Sequence, residues 1–584
     1  MYILGINAYH GDASAAILCD GRLVAAAEEE RFNRVKHCAG FPTEAVRYCL
    51  REAGITAAEL THIAIARDPK AHLDKKLLYA LKIPQMALRR MAPQGKFGSI
   101  KEETAKALGV DPEAVGAEVV RVEHHKAHLA SSFYVSGFEE AALLSVDGLG
   151  DFASTMWGMG RGMDLEIDGV VSFPHSLGFF YTAITQYLGF WRYGDEFKVM
   201  GLASYGEPEF AEEFAKILQL GNQKGRPGFQ LGLDYFVHHK VGSDVSWDEG
   251  SPVIAKLFSD HLEQRLGATR DPAAPTGRRH ENIANSLQAR LQDGVISLAN
   301  RVHELTGSKR LCLAGGVAFN CVANGLLFER TPFEEVYIPT AAGDAGLAVG
   351  AAFYVYHQVL RQPRSFTMTH AYWGPSFGHE EIGRALAAAG LRDGGYRVTE
   401  LSDEQITAET ARRIADGKIV GWFQGRLEFG PRSLGNRSIV VDPRRAEMKD
   451  ILNRRIKHRE GFRPFAPSIL EARTGEYFEH SHPSPFMLMT YRVRPEKRSE
   501  IPAPTHVDGT GRLQTVNAEQ NPRYFQLISD FEALTGVPVL VNTSFNDNEP
   551  VVCRPQEAID CFTRTRMDVL GIGNWLVERD DAGE

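Results

Sequence analysis

One order of elements occurs twice in the first third of the chain. Residues 2–28 contain a short apolar strand, a polar turn with Gly11, a second strand in ASAAILCD, a tight Asp-Gly turn and a third strand in RLVAAAEEE. Around residue 141, AALLSVDGLGDFASTMWGMGRG again predicts a strand, a Gly/Asp turn, a small-residue strand and a Gly turn. The two copies indicate a degenerate internal duplication. A glycine-rich turn at a strand end leaves backbone N–H groups able to face an anion.

Two such hairpins that face one cleft resemble the phosphate-binding plan of actin-like and sugar-kinase-like ATPases. A third glycine site follows a third apolar strand in LCLAGGVAFN, where Gly315 and Gly316 permit close backbone approach before a predicted helix N-terminus. Residues 209–280 carry few clear signals and are interpreted as an insertion. Residues 280–305 have Ala, Leu and Val at helical spacing and predict a long helix.

Composition and charge exclude several classes of protein. The chain has 584 residues and a formal net charge of −9, which argues against a general nucleic-acid or membrane-surface partner. Its seven cysteines are dispersed, as expected for reduced thiols in a cytosolic protein. The N-terminus MYILGINAYHGD does not have the pattern of a signal peptide, and no apolar run is long enough to span a bilayer. The sequence therefore predicts a cytoplasmic protein with neither a nucleic-acid nor a membrane partner.

Pro, Gly and polar residues concentrate in residues 361–378, RQPRSFTMTHAYWGPSFG, and indicate a domain boundary. We expect a first domain over residues 1–362, a linker over 363–378 and a second domain over 379–584. In the second domain, EEIGRALAAAG and DEQITAETARRIADGK predict helices and IVGWFQG predicts a strand. A homodimer is a further hypothesis.

The second domain contains a basic stretch. Residues 426–463 hold eleven Lys or Arg against five acids, a sum of +6 within a chain of −9. A solvated basic helix face is one interpretation. However, the arginines lie among Gly, Pro and aromatic residues in GRLEFGPRSLGNRS and REGFRPFAPS, in turns rather than at i, i+4 spacing with acids. Arginine on such a backbone suits bidentate phosphate binding, so the stretch favours a phosphate or nucleotide pocket.

Three histidines lie within five residues in HHKAHLAS. His124 and His128 are spaced i, i+4, so a helix places both imidazoles on one face. This spacing is typical of two ligands of one metal ion, but it also occurs on a polar helix face. The residues alone leave both interpretations open.

Twelve stretches in one order resemble the O-carbamoyltransferases of antibiotic and nodulation-factor biosynthesis, over nearly the whole chain. They are AYHGDASAA, AEEERFNRVKH, HHKAHLASS, SVDGLGD, SLGFFYTAIT, EFKVMGLASYG, GGVAFN, GDAGLAVGAA, GRLEFGPRSLGNRSI, LNRRIKHREGFRPFAPS, HVDGTGRLQTV and LVNTSFNDNEP. The resemblance implies an α/β protein. Its N-terminal domain would have an actin-like ATPase (threonylcarbamoyl-transferase-like) fold, and its C-terminal domain a YrdC-like α/β fold.

The resemblance also implies an enzyme with two steps. The C-terminal domain would form carbamoyl-adenylate from carbamoyl phosphate and ATP, with Mg²⁺ accompanying the ATP. The N-terminal domain would transfer the carbamoyl group to a hydroxyl of a small-molecule natural product. The alternatives are a tRNA threonylcarbamoylation-type enzyme and a non-catalytic actin-like nucleotide-binding scaffold.

Site residues of the N-terminal domain follow from the matching motifs. Asp147 and Asp344 would complete a metal site with His124 and His128, for iron by family precedent or for another divalent transition metal. His125 lies off the ligand face and is expected to contact a ligand or the substrate. The base that deprotonates the acceptor hydroxyl would be His10, or else His10 is a turn residue that contacts phosphate or solvent. The expected phosphate, carbamoyl and adenylate contacts are Lys36, His37, Lys198, Gly201, Gly315, Gly316 and Asn320. The alternative is that Lys198 is an exposed helix lysine and that Lys36 and His37 are surface residues.

In the C-terminal domain the family pattern assigns contacts with phosphate and the carbamoyl group. Lys457 and Arg463 are the expected catalytic residues there, because concentrated cations can hold two anions in line. The other expected contacts are Arg432, Arg512, Asn542 and Ser544.

Overall fold

The structure, a computed structural model, describes residues 1–82, 99–221, 228–242, 245–248 and 250–579. The chain divides into two compact units, Met1–Met368 and Thr369–Glu584. The point of division lies inside the stretch 363–378, which is irregular in structure. Both units are α/β with mixed sheets. Among the described residues, no helix is both long and apolar enough to cross a bilayer.

The first sheet of the N-terminal unit contains five strands in the order β3-β2-β1-β4-β5. The strands are β1 (Tyr2–Asn7), β2 (Ser14–Cys19), β3 (Arg22–Glu28), β4 (Leu60–Ile65) and β5 (Glu118–Arg121). The first three form an antiparallel meander, and β4 and β5 add in parallel to β1.

The second sheet begins with another antiparallel meander, formed by β6 (Glu140–Gly150), β7 (Ala153–Arg161) and β8 (Asp164–Ser172). The segment predicted as an insertion follows. Its described residues form two small hairpins, β9 (Leu218–Leu220) with β10 (Phe229–Leu231) and β11 (Val245–Asp248) with β12 (Ser251–Ile254).

Strands β13 (Arg310–Ala314) and β14 (Glu335–Tyr337) complete the second sheet, in the order β14-β13-β6-β7-β8. Strand β13 is parallel to β6, and β14 is parallel to β13. Both sheets therefore have the same topology, a three-stranded meander extended by two parallel strands. This confirms the internal duplication predicted from the sequence.

The predicted long helix is confirmed as Arg278–Thr306, and Gly307 ends it in the left-handed conformation. The other α-helices described in the N-terminal unit are Glu30–Asn33, Thr43–Ala53, Leu73–Lys82, Ile100–Leu108, His124–Phe133, Leu177–Tyr187, Glu196–Ala203, Ala211–Ile217, His238–Val241, Asp260–Leu266, Cys321–Gly325, Leu327–Arg330 and Leu347–Tyr354.

The C-terminal unit is built on a nine-stranded mixed sheet in the order β15-β23-β22-β16-β17-β21-β18-β20-β19. Its strands are β15 (Tyr396–Glu400), β16 (Val420–Phe423), β17 (Arg437–Val441), β18 (Ala466–Leu470), β19 (Met489–Arg492), β20 (Thr510–Val516), β21 (Val539–Ser544), β22 (Val569–Ile572) and β23 (Trp575–Arg579). The α-helices are His379–Ala388, Asp403–Ala415, Met448–Ile451, Thr474–Tyr477, Pro522–Thr535 and Pro555–Thr565. The first two helices and β16 confirm the elements predicted for this domain.

Two glycines allow the helix Leu347–Tyr354 to pack closely between β1 and the helix His124–Phe133. A methyl group on Gly5 of β1 would lie 1.9 Å from the carbonyl oxygen of Ala348, and one on Gly350 would lie 1.9 Å from that of Ala127. Backbone therefore meets backbone on both sides of this helix, which no larger residue would permit. The packing fixes the turn before the helix, where Asp344 lies, relative to the helix that carries the three histidines.

We expect Gly350→Ala to destabilise the protein by about 2 kcal/mol or more, because the added methyl must push two backbones apart. Gly294→Ala is the matched control, since its new methyl would meet Leu177 at an ordinary 3.4 Å. That control should change the free energy of unfolding by no more than about 1 kcal/mol. Urea unfolding of both variants measures the difference, and equal midpoints would contradict the packing argument.

Candidate functional site

The helix His124–Phe133 presents two histidines to one point. Glu123 caps the helix by accepting a hydrogen bond from the backbone N–H of Lys126. His124 and His128 follow one turn apart, with ring centroids separated by 4.8 Å, and both are buried. Their Nε2 atoms lie 3.0 and 2.9 Å from Oδ2 of Asp147.

Asp147 is held from its other side by glycine backbone. Its Oδ1 accepts hydrogen bonds from the N–H groups of Gly148 (2.7 Å) and Gly316 (3.0 Å). Gly315 has a φ of +94°, and a methyl there would lie 2.2 Å from the carbonyl oxygen of Val146. Gly315 and Gly316 thus allow β13 and its turn to approach the end of β6 and fix Asp147.

Asp344 completes the cluster from the turn before the helix Leu347–Tyr354. Its Oδ1 lies 3.7 Å from His124 Nε2 and 3.5 Å from His128 Nε2, and has no hydrogen-bond partner among the described residues. Four ligand atoms, two imidazole nitrogens and two carboxylate oxygens, thus lie within 4.8 Å of one another. A buried carboxylate oxygen without a donor fits a cation, and this donor set suits a divalent transition metal.

The charges in the cluster support one another. Burial alone would lower the pKa of His128, but the hydrogen bond to Asp147 and the negative charges of Asp147 and Asp344 raise it to about 9. Burial opposes ionisation of Asp147, yet the two histidines hold its pKa well below the ordinary value. Without a metal, therefore, the carboxylates retain a proton on a histidine.

His10 lies on the turn between β1 and β2 and joins the cluster through Asp344. The Asn7 side-chain amide shapes this turn by donating to the carbonyl oxygens of Gly11 and Asp12, both at 3.1 Å. His10 Nδ1 lies 2.5 Å from Asp344 Oδ2, and the His10 side chain is 42% exposed. Burial lowers the pKa of His10, but Asp344 outweighs it and raises the pKa above its ordinary value. The carboxylate orients the ring and leaves Nε2 for a substrate proton.

A second histidine–carboxylate pair joins His37 to Asp12, which lies on the same turn as His10. His37 Nδ1 is 2.7 Å from Asp12 Oδ1, and its backbone N–H donates to Glu30 at 2.6 Å. The three residues also group closely enough to be considered for a metal ion. Glu30 is already paired with Arg31, however, at 2.5 Å. The sequence identified His37 but not its partner, because residue 12 is distant in sequence.

The remaining predicted residues of this unit make contacts within the fold. Lys198 Nζ pairs with Asp195 Oδ1 at 2.8 Å, and Gly201 is buried within the helix Glu196–Ala203. The Asn320 side chain exchanges two hydrogen bonds of 2.9 Å with Gln288. His125 is buried, with Nδ1 2.7 Å from Ser145 Oγ. Their roles toward adenylate or substrate stay predictions.

In the C-terminal unit, Lys457 is buried, with 2% of its surface exposed. Its Nζ donates to the carbonyl oxygens of Ser544 (2.6 Å) and Asn546 (2.7 Å) and to Asn546 Oδ1 (2.8 Å). Burial and the positive charges of Arg459 and Arg463 lower the pKa of Lys457 well below its ordinary value. The hydrogen bonds from Nζ position the turn after β21, and the structure brings Lys457 and Ser544 together.

Arg459, Arg463 and Arg512 surround this point with positive charge. Arg459 donates to Asn453 Oδ1 at 2.7 Å and lies over the ring of Phe465. Burial lowers its pKa, and the charges of Arg463 and Arg512 lower it further. Three guanidinium groups within electrostatic reach of one another favour binding of a multiply charged anion.

Arg432 is carried by a loop that a buried carboxylate organises. Glu428 Oε1 accepts hydrogen bonds from the backbone N–H groups of Leu434 (2.7 Å) and Asn436 (2.9 Å). The sequence analysis counted Glu428 only as an acid opposing the basic stretch. Its position inside a Gly- and Pro-rich loop is the signal that could have identified its role.

The basic stretch exposes less positive charge than its composition indicated. Arg437 is buried over the ring of Phe423 and donates to backbone carbonyl oxygens, such as that of Gln424 at 2.6 Å. Other arginines of the stretch form ion pairs: Arg444 and Arg445 with Asp442, Arg455 with Asp568, Arg463 with Glu460, and Arg454 with Asp450. The last is an i, i+4 pair, so the expectation that these arginines avoid that spacing was wrong there.

Comparison with known proteins identifies the family. A carbamoyltransferase N-terminus model matches residues 2–353, and a carbamoyltransferase C-terminus model matches residues 411–579. The chain therefore belongs to the carbamoyltransferase family and is a carbamoyltransferase enzyme.

Individual relatives cover most of the chain. Nodulation protein NolNO of Sinorhizobium fredii is 37% identical over 99% of this chain and 80% of its own length. Nodulation protein NolO of Bradyrhizobium diazoefficiens is 40% identical over 79% of each chain. An uncharacterised protein of Synechocystis sp. is 41% identical over 99% of this chain and 97% of its own length.

Solved structures align less closely. Component A of (R)-2-hydroxyglutaryl-CoA dehydratase from Acidaminococcus fermentans is 14% identical, with a TM-score of 0.33 over 62% of this chain and all of its own. HypF of T. kodakarensis is 17% identical, with a TM-score of 0.28 over 60% of this chain and 47% of its own. At such TM-scores these alignments carry no weight for fold or function, and the YrdC-like fold stays a prediction.

We expect His128→Ala and Asp147→Asn to lower the affinity for a divalent transition metal by roughly 100-fold or more, since each removes a ligand. His125→Ala is the matched control, because His125 belongs to the same helix but turns to Ser145. Equilibrium dialysis with elemental analysis measures the bound metal. Equal loss in all three variants would contradict the assignment.

Metal-free protein should lose stability as pH rises through about 9. The pKa of His128 is raised to about 9, above the ordinary value of about 6.5. Protonated His128 thus stabilises the fold fully below about pH 6.5, and this stabilisation disappears above about pH 9. Urea unfolding of chelator-treated protein between about pH 6 and 10 tests this. A slope that persists in His128→Gln would assign the effect to other groups.

Proposed function

We propose that the chain is an ATP-dependent O-carbamoyltransferase. Its C-terminal unit forms carbamoyl-adenylate from carbamoyl phosphate and ATP, and its N-terminal unit transfers the carbamoyl group to a hydroxyl of a small-molecule natural product. The observation that carries the proposal is the His10–Asp344 pair, in which a half-exposed imidazole shares a carboxylate with a four-residue metal cluster.

The chemistry of transfer explains the need for this pair. An alcohol is a weak nucleophile until a base removes its proton, and the base must be held within hydrogen-bond distance. Asp344 holds His10 by Nδ1, so Nε2 can accept the proton of the hydroxyl. The alcohol oxygen then forms the new C–O bond, and AMP departs with the electrons of the bond that breaks.

His124, His128, Asp147 and Asp344 would hold the metal. When bound, a divalent metal supplies Lewis-acid polarisation of a carbonyl or phosphoryl oxygen. The donor set suits iron, manganese and zinc alike, so metal analysis of purified protein decides among them.

Adenylate formation is supported by the positive cluster around Lys457, which offers charge complementary to carbamoyl phosphate and ATP with its Mg²⁺. In the balanced reaction, one water cleaves carbamoyl phosphate to carbamate and phosphate. A carbamate oxygen then attacks the α-phosphorus of ATP, and pyrophosphate leaves. Arg463, half-buried beside Arg459 and Lys457, is our choice for an anion contact.

We expect wild-type protein to release phosphate and pyrophosphate from carbamoyl phosphate and ATP without an acceptor. Arg463→Ala should lower pyrophosphate release by roughly 10- to 100-fold, the value of a charge-assisted hydrogen bond. Arg454→Ala is the matched control, because Arg454 is exposed and pairs with Asp450.

The experiment distinguishes a wrong choice of Arg463 from a wrong activation step. Equal activity in Arg463→Ala and the control would remove Arg463 from the site. No release by the wild type, with carbamoyl phosphate and ATP both present, would overturn the proposed activation step.

A further inference from the structure

Asn542 lies on β21 with a fully buried side chain and an unmet polar atom. Its Oδ1 has no hydrogen-bond partner among the described residues. The hydroxyl of Ser433, whose backbone carbonyl oxygen accepts from Asn542 Nδ2 at 3.1 Å, is also buried without a partner. Buried polar atoms are normally satisfied, so the unmet Oδ1 of Asn542 indicates a ligand with an N–H group to donate.

The orientation of the Asn542 amide is determined by its neighbours. Its Nδ2 lies 2.9 Å from Gln514 Oε1 and 3.2 Å from Ser468 Oγ. A flipped amide would place Oδ1 against Gln514 Oε1 and the Ser433 carbonyl oxygen, both of which can only accept. The network therefore assigns Oδ1 to the side away from Gln514.

Gln514 is itself fixed by the backbone. Its Nε2 donates to the carbonyl oxygen of Leu434 at 2.8 Å, and its Oε1 also accepts from Ser468 Oγ at 2.6 Å. A flipped Gln514 amide would place Oε1 against the carbonyl oxygen of Leu434, and neither oxygen could donate a hydrogen bond. The Leu434 carbonyl thus orients Gln514, and Gln514 orients Asn542.

The unmet acceptor faces the same side of the sheet as the positive cluster. Strand β18 lies between β21 and β20, with Ala466 opposite Asn542 and Ser468 opposite Gln514. Arg512 lies two residues before Gln514 on β20, and Ser544 lies two residues after Asn542 on β21, so alternation places all four on one face. Ser544 in turn accepts from Lys457.

The two sets of groups match the two ends of carbamoyl phosphate. Its phosphate suits the cations, and its amide NH₂ can donate to a carbonyl oxygen. Acetyl phosphate has nearly the same shape but carries a methyl group in place of NH₂, which would leave the buried acceptor unmet.

We infer that Gln514 is a positioning residue that turns Asn542 Oδ1 toward the substrate NH₂ and makes the site selective for carbamoyl phosphate over acetyl phosphate. The inference rests on the proposed function. Gln514 touches Asn542 rather than the substrate, so its loss should alter selectivity more than overall binding of phosphate.

The test compares pyrophosphate release driven by carbamoyl phosphate and by acetyl phosphate, each with ATP and without an acceptor. Gln514→Met keeps the side-chain volume but removes the amide. It should lower kcat/KM for carbamoyl phosphate about tenfold, the value of one hydrogen bond to a buried group, and leave kcat/KM for acetyl phosphate within about twofold. Gln526→Met is the matched control, since Gln526 pairs with Asp530 on an exposed helix face.

Ser468→Ala is the second variant, because loss of one hydroxyl disturbs folding least. It removes one contact of Asn542 and should reduce the selectivity ratio by a smaller factor. Wild-type selectivity retained in both folded variants would overturn the inference, as would parallel loss with both substrates. No release by the wild type with carbamoyl phosphate would instead overturn the proposed function on which it rests.

Discussion

The two carboxylate oxygens of Asp147 make different contacts, and the arrangement of the site in the first unit depends on both. One oxygen is fixed by the backbone N–H groups of Gly148 and Gly316, so it ties the end of β6 to the turn after β13. The other oxygen, Oδ2, contacts the Nε2 atoms of His124 and His128, which lie on the helix His124–Phe133. Because the hydrogen bonds to Oδ1 fix the orientation of the carboxylate, the position of Oδ2 determines where the two histidines meet. Close packing at Gly5 and Gly350 then places Asp344 against the same point.

Asp344 joins the four-residue His/Asp cluster to His10, the proposed base. Its Oδ1 faces the histidines and its Oδ2 faces His10. A cation at the cluster would draw electron density from this carboxylate and so weaken its attraction for a proton on His10. If His10 is the base, as we propose, its basicity would depend on what the cluster holds. A base too strongly paired would retain its proton after each transfer, and sharing Asp344 with a cation would moderate this.

The parts of the fold that follow a local rule could be predicted from the sequence. Alternating strands, the repeated Gly/Asp turns and the i, i+4 histidines depend on neighbouring residues, and the structure contains them. Contacts between distant residues do not follow from local patterns. Asp147 and Asp344 were joined to His124 and His128 only through the family motifs. Lys457 is buried against Ser544, which is 87 residues away, and Asn542 binds the carbonyl of Ser433 across 109 residues. Arg437 was counted as free charge, because composition does not reveal that backbone carbonyls surround it.

The C-terminal cluster combines a lysine that donates to neutral oxygens with arginines that repel one another, and this combination suits a transient anion. Lys457 donates hydrogen bonds to neutral oxygens, and burial together with the charges of Arg463 and Arg512 lowers the pKa of Arg459. Were each cation matched by a carboxylate, the site would be more stable but would offer an anion no additional attraction. Arg463 has Glu460 at 3.7 Å, but repulsion among the cations remains. In the proposed function, a bound phosphate would relieve this repulsion. Asn542 adds a buried oxygen without a hydrogen-bond donor among the described residues. In the proposed function, the cations would attract the phosphate and this oxygen would select the group attached to it.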